Sequence, residues 1–208
     1  MRLLRCHPLW RALCTQHLKR RLAYSTVSQL SYILMGVMLM TPAGLGAGLT
    51  HMVCHALMKI TLFFCAGAIL YKGGREYVYE LRGVGRAMPV TMTCFTLAGL
   101  GLVGVPLFAG FVSKFMLGSA AAEAGGLGML GVVSLIISAF FTLFYMVLII
   151  GAAWFPAEGR EDPHWNTQCD PNWNMKLPLI AITAMSMVLG LWSGPLIQVF
   201  DRIAAGGM

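Results

Sequence analysis

Long apolar runs separated by short polar or glycine-rich connections set the pattern of this chain, and they predict helices that cross a membrane. The first run is about 22–40, LAYSTVSQLSYILMGVMLM. Its first half carries Ser25, Ser28, Gln29 and Tyr32 at i, i+3, i+4 and i+7, which is one face of a helix. In a bilayer such a face meets protein or water rather than lipid. The stretch TPAGLGAG (41–48) predicts a Pro/Gly connection to a second run at about 47–71. The two runs together predict a hairpin that returns the chain to the side on which it started.

The second run contains HMVCHALMKITLFFCAGAILY (51–71), where His51, His55 and Lys59 stand at i, i+4 and i+8 on one helical face among Leu, Ile, Phe, Met and Ala. A row of ionisable groups at membrane depth is costly unless it pairs or meets water, so it points to an ion or proton path. The plainer reading has Lys59 snorkelling to an interface and the histidines bonding to neighbouring helices. Three such groups on one stripe favour the path.

Residues 72–88, KGGREYVYELRGVGRAM, predict a polar connection broken by its glycines. The next run, 89–120, is too long for one span and too short for two: 32 residues make roughly 48 Å of helix. Gly99, Gly101, Gly104 and Pro106 fall in its middle, so a span ending near Gly104 followed by a broken or re-entrant helix is expected, with Gly104 and Pro106 at the break. Non-helical backbone at membrane depth is tolerated only where it is buried in protein or lines a wet cavity. Lys114 follows that break, beside carbonyls the break would free, and is a second candidate for an ion path. A span at about 127–153 has no charged residue and reads as packing or lipid contact. The polar loop at 155–176 holds Glu158, Glu161, Asp162 and Asp170 and few basic residues, which argues for the side opposite the basic connections. The final span, about 177–200, is bent or ended by Pro195, and a tail at 201–208 follows.

Composition sharpens this reading. The chain is 58% hydrophobic and 11% charged, with mean hydropathy +0.73, where a soluble domain has about a quarter of its residues charged. The net charge of +7 does not point to nucleic acid: six of the fifteen Lys and Arg precede residue 22 and four more lie in 72–86, so they flank apolar runs as topology signals. Residues 1–21 are basic and acid-free but lack a continuous apolar core and a small-residue cleavage site, so they make a poor signal peptide. The six cysteines form no CxxC pair, and His164 and Cys169 are isolated, so no metal, haem or iron–sulfur site is expected; the GxG at 83–85 lacks a preceding strand and a third glycine, so no flavin or nicotinamide site is expected either. The expected fold is all-α: one polytopic transmembrane bundle over 22–200 with about five to six spans (22–40, 47–71, 89–120 broken, 127–153, 177–200), after a basic lead at 1–21.

Four stretches, LKRRLAYSTVSQLSYI (18–33), HMVCHALMKITLFFCAGAI (51–69), GVGRAMPVTMTCFTLAGLGLVGVPLFAGFVSK (83–114) and DPNW (170–173), resemble the antiporter-like subunits: the proton-pumping membrane subunits of respiratory complex I and the large subunits of Mrp-type Na⁺/H⁺ antiporters and membrane hydrogenases. The resemblance covers about 16–200 and implies the second of two inverted five-helix repeats plus a trailing helix. It implies that His51, His55 and Lys59 belong to the central helix of a half-channel, that Lys114 is the ionisable residue of the discontinuous helix, and that Lys19 is the basic lead-in residue that gates or orients the path. The chain departs from the family pattern at His17, where an acid is usual, and in the absence of the first repeat.

The resulting expectation is a proton-translocating membrane subunit, the C-terminal half, of an NADH:quinone oxidoreductase-type complex or of a multisubunit Na⁺/H⁺ antiporter. It sits in a bacterial or archaeal inner membrane with other membrane subunits, lipid, H⁺ and, in the antiporter case, Na⁺ as partners. Lys59 and Lys114 would alternate between charged and neutral forms, His51 and His55 would pass protons between them, and Ser25, Ser28 and Gln29 would wet the path. Any oxidoreductase activity would belong to the complex, since the chain has no cofactor. The alternatives are a truncated structural or assembly subunit without independent transport, and a redox enzyme proper.

Overall fold

The computed structural model describes residues 14–155, 165 and 170–206. Residues 1–13 of the basic lead and Glu158, Glu161, Asp162, His164 and Cys169 of the polar loop lie outside the described residues. Among the described residues the chain forms eight α-helices: α1 (Leu18–Met38), α2 (Pro42–Gly73), α3 (Val84–Ala87), α4 (Pro89–Val103), α5 (Ala109–Ala124), α6 (Leu127–Trp154), α7 (Trp173–Leu191) and α8 (Gly194–Gly206), with a 3-10 turn at Val78–Leu81. Three of them, α2, α6 and α7, are long and apolar enough to cross a membrane, and α4 is a shorter apolar helix.

The distribution of side chains is that of a protein whose solvent is lipid. Leu34, Met38, Phe64, Phe115, Phe140 and Leu177 are exposed, whereas Ser25, Gln29, His51, Lys59, Ser113, Lys114 and Thr142 are buried. Large apolar groups turned outward and polar groups turned inward are stable only where the surroundings are themselves apolar.

Helices α1 and α2 form the expected hairpin. His17 bridges to Tyr77 in an antiparallel β-bridge, the Leu18 amide donates to the Glu76 carbonyl at 2.8 Å, and His17 Nε2 meets Glu76 Oε2 at 2.9 Å. The start of α1 and the end of α2 therefore share one end of the bundle. The connection between them is shorter than the sequence pattern suggested. Helix α2 starts at Pro42, because Thr41 accepts from the Gly44 amide at 3.1 Å as N-cap and Pro42 occupies the first turn, where its missing N–H costs nothing. The glycines of 41–48 are helical and serve close packing: a Cβ on Gly36 would stand 2.7 Å from the Gly44 carbonyl oxygen.

The run at 89–120 is broken where expected. Helix α4 ends at Val103, Gly104 takes the left-handed conformation at φ 95°, and α5 resumes at Ala109. The 15 residues of α4 span roughly 22 Å, less than the about 30 Å of a bilayer's hydrocarbon core, so the break lies at membrane depth.

The polar loop does not lie on the opposite side. Helix α6 brings the chain back to the end occupied by residues 74–88: the Gly83 amide donates to the Ala152 carbonyl at 3.3 Å, and Trp165 Nε1 donates to the Glu80 carbonyl at 2.8 Å. At that end Asp170 accepts from the Val90 amide at 3.2 Å and from Thr91 Oγ1 at 3.1 Å, capping α4. The broken helix thus makes one crossing and α6 the return. The last expected span is two helices, α7 and α8, separated at Trp192 and Ser193 just ahead of Pro195. Helix α8 lies against the start of α2, with Asp201 beside Gly46.

Candidate functional site

The site is a buried polar column built where α1, α2, α5 and α6 face one another. Its core is the stripe on α2. His51, His55 and Lys59 are all buried, and the rings of His51 and His55 stack with centroids 6.0 Å apart. An i, i+4 spacing on one helix sets the two rings side by side on the same face. The ring of Tyr32 from α1 meets His51 edge-on at 5.9 Å.

Lys59 is only 5% exposed and extends to α1, where Nζ donates to the Leu22 carbonyl at 2.8 Å and also to Ser25 Oγ. Ser25 in turn donates to the same Leu22 carbonyl at 2.9 Å. Lys114, 6% exposed, folds back over the break in the helix, and its Nζ donates to the carbonyls of Leu102 at 2.7 Å and Val103 at 2.9 Å. Those carbonyls are orphaned because Gly104 ends the helix, and they sit at the negative end of the α4 dipole. Neither lysine has a carboxylate partner among the described residues. Each is held by neutral oxygens, which suit an ammonium but do not demand one.

The histidine stripe of α2 reaches α5, the helix that carries Lys114. His51 Nδ1 and Ser113 Oγ share a hydrogen bond of 3.0 Å, which places His51 next to the residue preceding Lys114. His55 stands one helical turn from His51 and one turn from Lys59 on α2. Among the described residues the Nε2 atoms of His51 and His55, both side-chain amide atoms of Gln29 and the hydroxyls of Tyr32 and Tyr145 are buried without a partner at hydrogen-bond geometry. Buried polar groups in folded proteins are nearly always satisfied, by protein groups or by ordered water.

The polar stripe of α1 sits where the pattern placed it. Ser25, Ser28 and Gln29 are buried; Ser25 touches Lys59, and Ser28 Oγ shares a 3.2 Å hydrogen bond with Ser138 Oγ of α6. Lys19 is half-buried and makes no hydrogen bond or ion pair among the described residues. The basic residue of the lead that enters the bundle is Arg21, buried on the same helical face as Ser25 and Ser28, with Nε donating to the Thr15 carbonyl at 2.9 Å. The largest departure is α6. Its uncharged sequence reads as packing, yet Ser138, Thr142 and Tyr145 recur at i, i+4 and i+7 and are all buried toward α1. That spacing was the available signal.

A helical bundle with a discontinuous helix, outward apolar faces, two buried lysines and two buried histidines matches the antiporter-like membrane proteins. The family described as "NADH:quinone oxidoreductase/Mrp antiporter, TM" matches residues 10–150, and the chain belongs to it. It is 30% identical over 202 residues to the F(420)H(2) dehydrogenase subunit N of Methanosarcina mazei, covering 93% of this chain and 40% of that protein. Similarity to the NADH-quinone oxidoreductase subunit N of Desulforudis audaxviator is 30% over 196 residues, covering 90% of this chain and 39% of that one. The chain spans about two-fifths of the length of these curated relatives. A chain of the membrane-bound sulfane sulfur reductase, an archaeal respiratory membrane complex, superposes with a TM-score of 0.85 at 27% identity over 98% of this chain and 40% of that chain.

Proposed function

We propose that this chain relays protons across part of the membrane as the C-terminal half of a proton-translocating unit, in an NADH:quinone oxidoreductase-type complex or a multisubunit Na⁺/H⁺ antiporter. The observation that carries this reading is the pair of buried lysines, each on neutral oxygens and without a carboxylate, flanking the stacked His51 and His55. A lysine paired to a carboxylate is fixed as a cation. One held by carbonyls and a hydroxyl can lose its proton and keep its place, so it can cycle between ammonium and amine.

The histidines supply the step between. A neutral imidazole accepts a proton at one nitrogen and releases one from the other. His51 has Nδ1 on Ser113, and His55 stands one helical turn from both His51 and Lys59 on α2. In this reading a proton leaving Lys59 reaches Lys114 by way of His55 and His51, with Ser113 orienting the His51 ring. Other membrane subunits are the partners this reading calls for, since the relatives are named as subunits and a structural neighbour belongs to a respiratory membrane complex. The bias that drives protons one way comes from those partners.

The test is Lys59→Ala and, separately, Lys114→Ala in the assembled membrane complex. Each variant is expected to assemble as the native chain does and to abolish proton transfer. Native rates in both variants would refute the reading.

A further inference from the structure

A cavity of about 560 Å³ lies between α5 and α6 beside the break in the discontinuous helix. Phe111, Phe115, Leu135, Phe140 and Leu143 wall it, and Lys114 is the one charged group among the described residues that line it. Phe115 and Phe140 are exposed, so the cavity opens on the outer surface of the bundle. Gly104 lines it too. A Cβ placed there would stand 3.2 Å from Lys114 Cδ and 3.6 Å from Nζ, so the bare glycine leaves the flank of the ammonium uncovered. An ammonium has three N–H donors, and Nζ gives two of them to the Leu102 and Val103 carbonyls. The third has no partner among the described residues.

Apolar walls with one convergent polar group, at this volume, are those of a small-molecule site. The polar group here is a cation without a carboxylate, so the complementary ligand is an apolar chain with a single acidic head. The break lies inside the hydrocarbon core, away from the level of phospholipid head groups. A free carboxylic acid reaches that depth because it sheds its charge in lipid. We propose that this cavity binds a long-chain fatty acid, its carboxylate on the third donor of Lys114 and its chain along the phenylalanines of α5 and α6, and that the bound acid stops proton transfer. The second half rests on the relay reading of Lys114.

The acid enters neutral and meets Lys114 as the amine. Its O–H bond breaks, an N–H bond forms on Nζ, and a carboxylate–ammonium pair is left with no net charge. Paired in this way, Lys114 stays a cation and no longer cycles.

The test uses palmitate carrying a diazirine on its chain, irradiated in native membranes that hold the full chain, with the labelled residues read by mass spectrometry. Label is expected on α5 and α6 of the native chain. Gly118 lines the cavity and a Cβ there meets nothing within 4 Å, so Gly118→Phe fills the space without a clash and is expected to lose the label while transferring protons at the native rate. Lys114→Ala is expected to take up about tenfold less label, the scale of a lost charge-assisted hydrogen bond, and methyl palmitate, which has no charge, is expected to compete poorly. Unmodified palmitate is expected to slow transfer by the native chain more than by Gly118→Phe; uncoupling by the free acid acts on both alike.

An unlabelled native chain means that something else, such as a helix of a neighbouring subunit, covers the cavity, and overturns the proposal. Label unchanged in Lys114→Ala, or equal competition by methyl palmitate, also overturns it, because the cavity then takes an apolar chain without reading the head. Labelling needs no proton transfer, so the two readings fail separately. Lost label with Lys59→Ala and Lys114→Ala still inactive removes this site and leaves the relay; native transfer in both lysine variants removes the relay and the inhibition with it.

Discussion

Lys114 Nζ lies 2.7 Å from the carbonyl oxygen of Leu102, twelve positions earlier in the chain. That distance ties the ionisable group to the break in its own helix. The carbonyls of Leu102 and Val103 are free to accept because Gly104 turns the backbone out of the helix at φ 95°. The lysine can stay buried because those carbonyls receive it. The break and the charge are therefore one device, and a change to either is felt by the other.

Gly104→Ala tests this coupling. A side chain at φ 95° is strained, at a cost of about 1–3 kcal/mol, and its Cβ would stand 3.2 Å from Lys114 Cδ. The variant is expected to unfold at lower temperature in detergent and to transfer protons more slowly, because Lys114 is pushed off its carbonyls. Unchanged melting and unchanged transfer together would mean that the break tolerates a side chain and does not hold the lysine.

Ser113→Ala removes the hydroxyl that shares a 3.0 Å hydrogen bond with His51 Nδ1. The imidazole keeps its place through the stack with His55 and the edge of Tyr32 but loses its link toward Lys114. One neutral hydrogen bond contributes about 1 kcal/mol, so transfer is expected to slow by about fivefold with assembly unaltered. A loss as complete as that of a lysine variant would assign Ser113 a larger part than orientation.

Asp170→Ala gives the opposite signature. Its carboxylate caps α4 through the Val90 amide and Thr91 Oγ1 and stands 3.7 Å from Lys176 Nζ, far from the buried lysines along the helix. Loss of a helix cap costs about 1 kcal/mol. The variant is expected to melt earlier and, once folded, to transfer protons at the native rate. Slowed transfer in fully folded protein would extend the path to this end of the bundle.

Charge made part of this architecture legible in the sequence. His51, His55 and Lys59 stand out because lipid penalises them, and Lys114 and Gly104 because an apolar run of that length must break. What escaped was written in weaker signals. Ser138, Thr142 and Tyr145 carry no charge, and their spacing is submerged in the Leu, Ile and Phe of α6. Glycines near a proline read as a turn, although Thr41 and Pro42 are also a cap and a first helical residue, and the helix starts there. Arg21, in helical phase with Ser25 and Ser28, is buried in the bundle, and Lys19, which the resemblance singled out, is half-buried. The capping of α4 by Asp170 joins residues about eighty positions apart, which no local pattern announces.

The measurement that bears most directly on the central claim is proton transfer in native membranes by Lys59→Arg beside the native chain. A guanidinium keeps the positive charge and can donate to Leu22 and Ser25, but it does not release its proton in a protein. If Lys59 works by cycling between ammonium and amine, the arginine variant assembles and transfers no protons. If it transfers protons at the native rate, the buried charge is structural, and the relay through Lys59 is wrong.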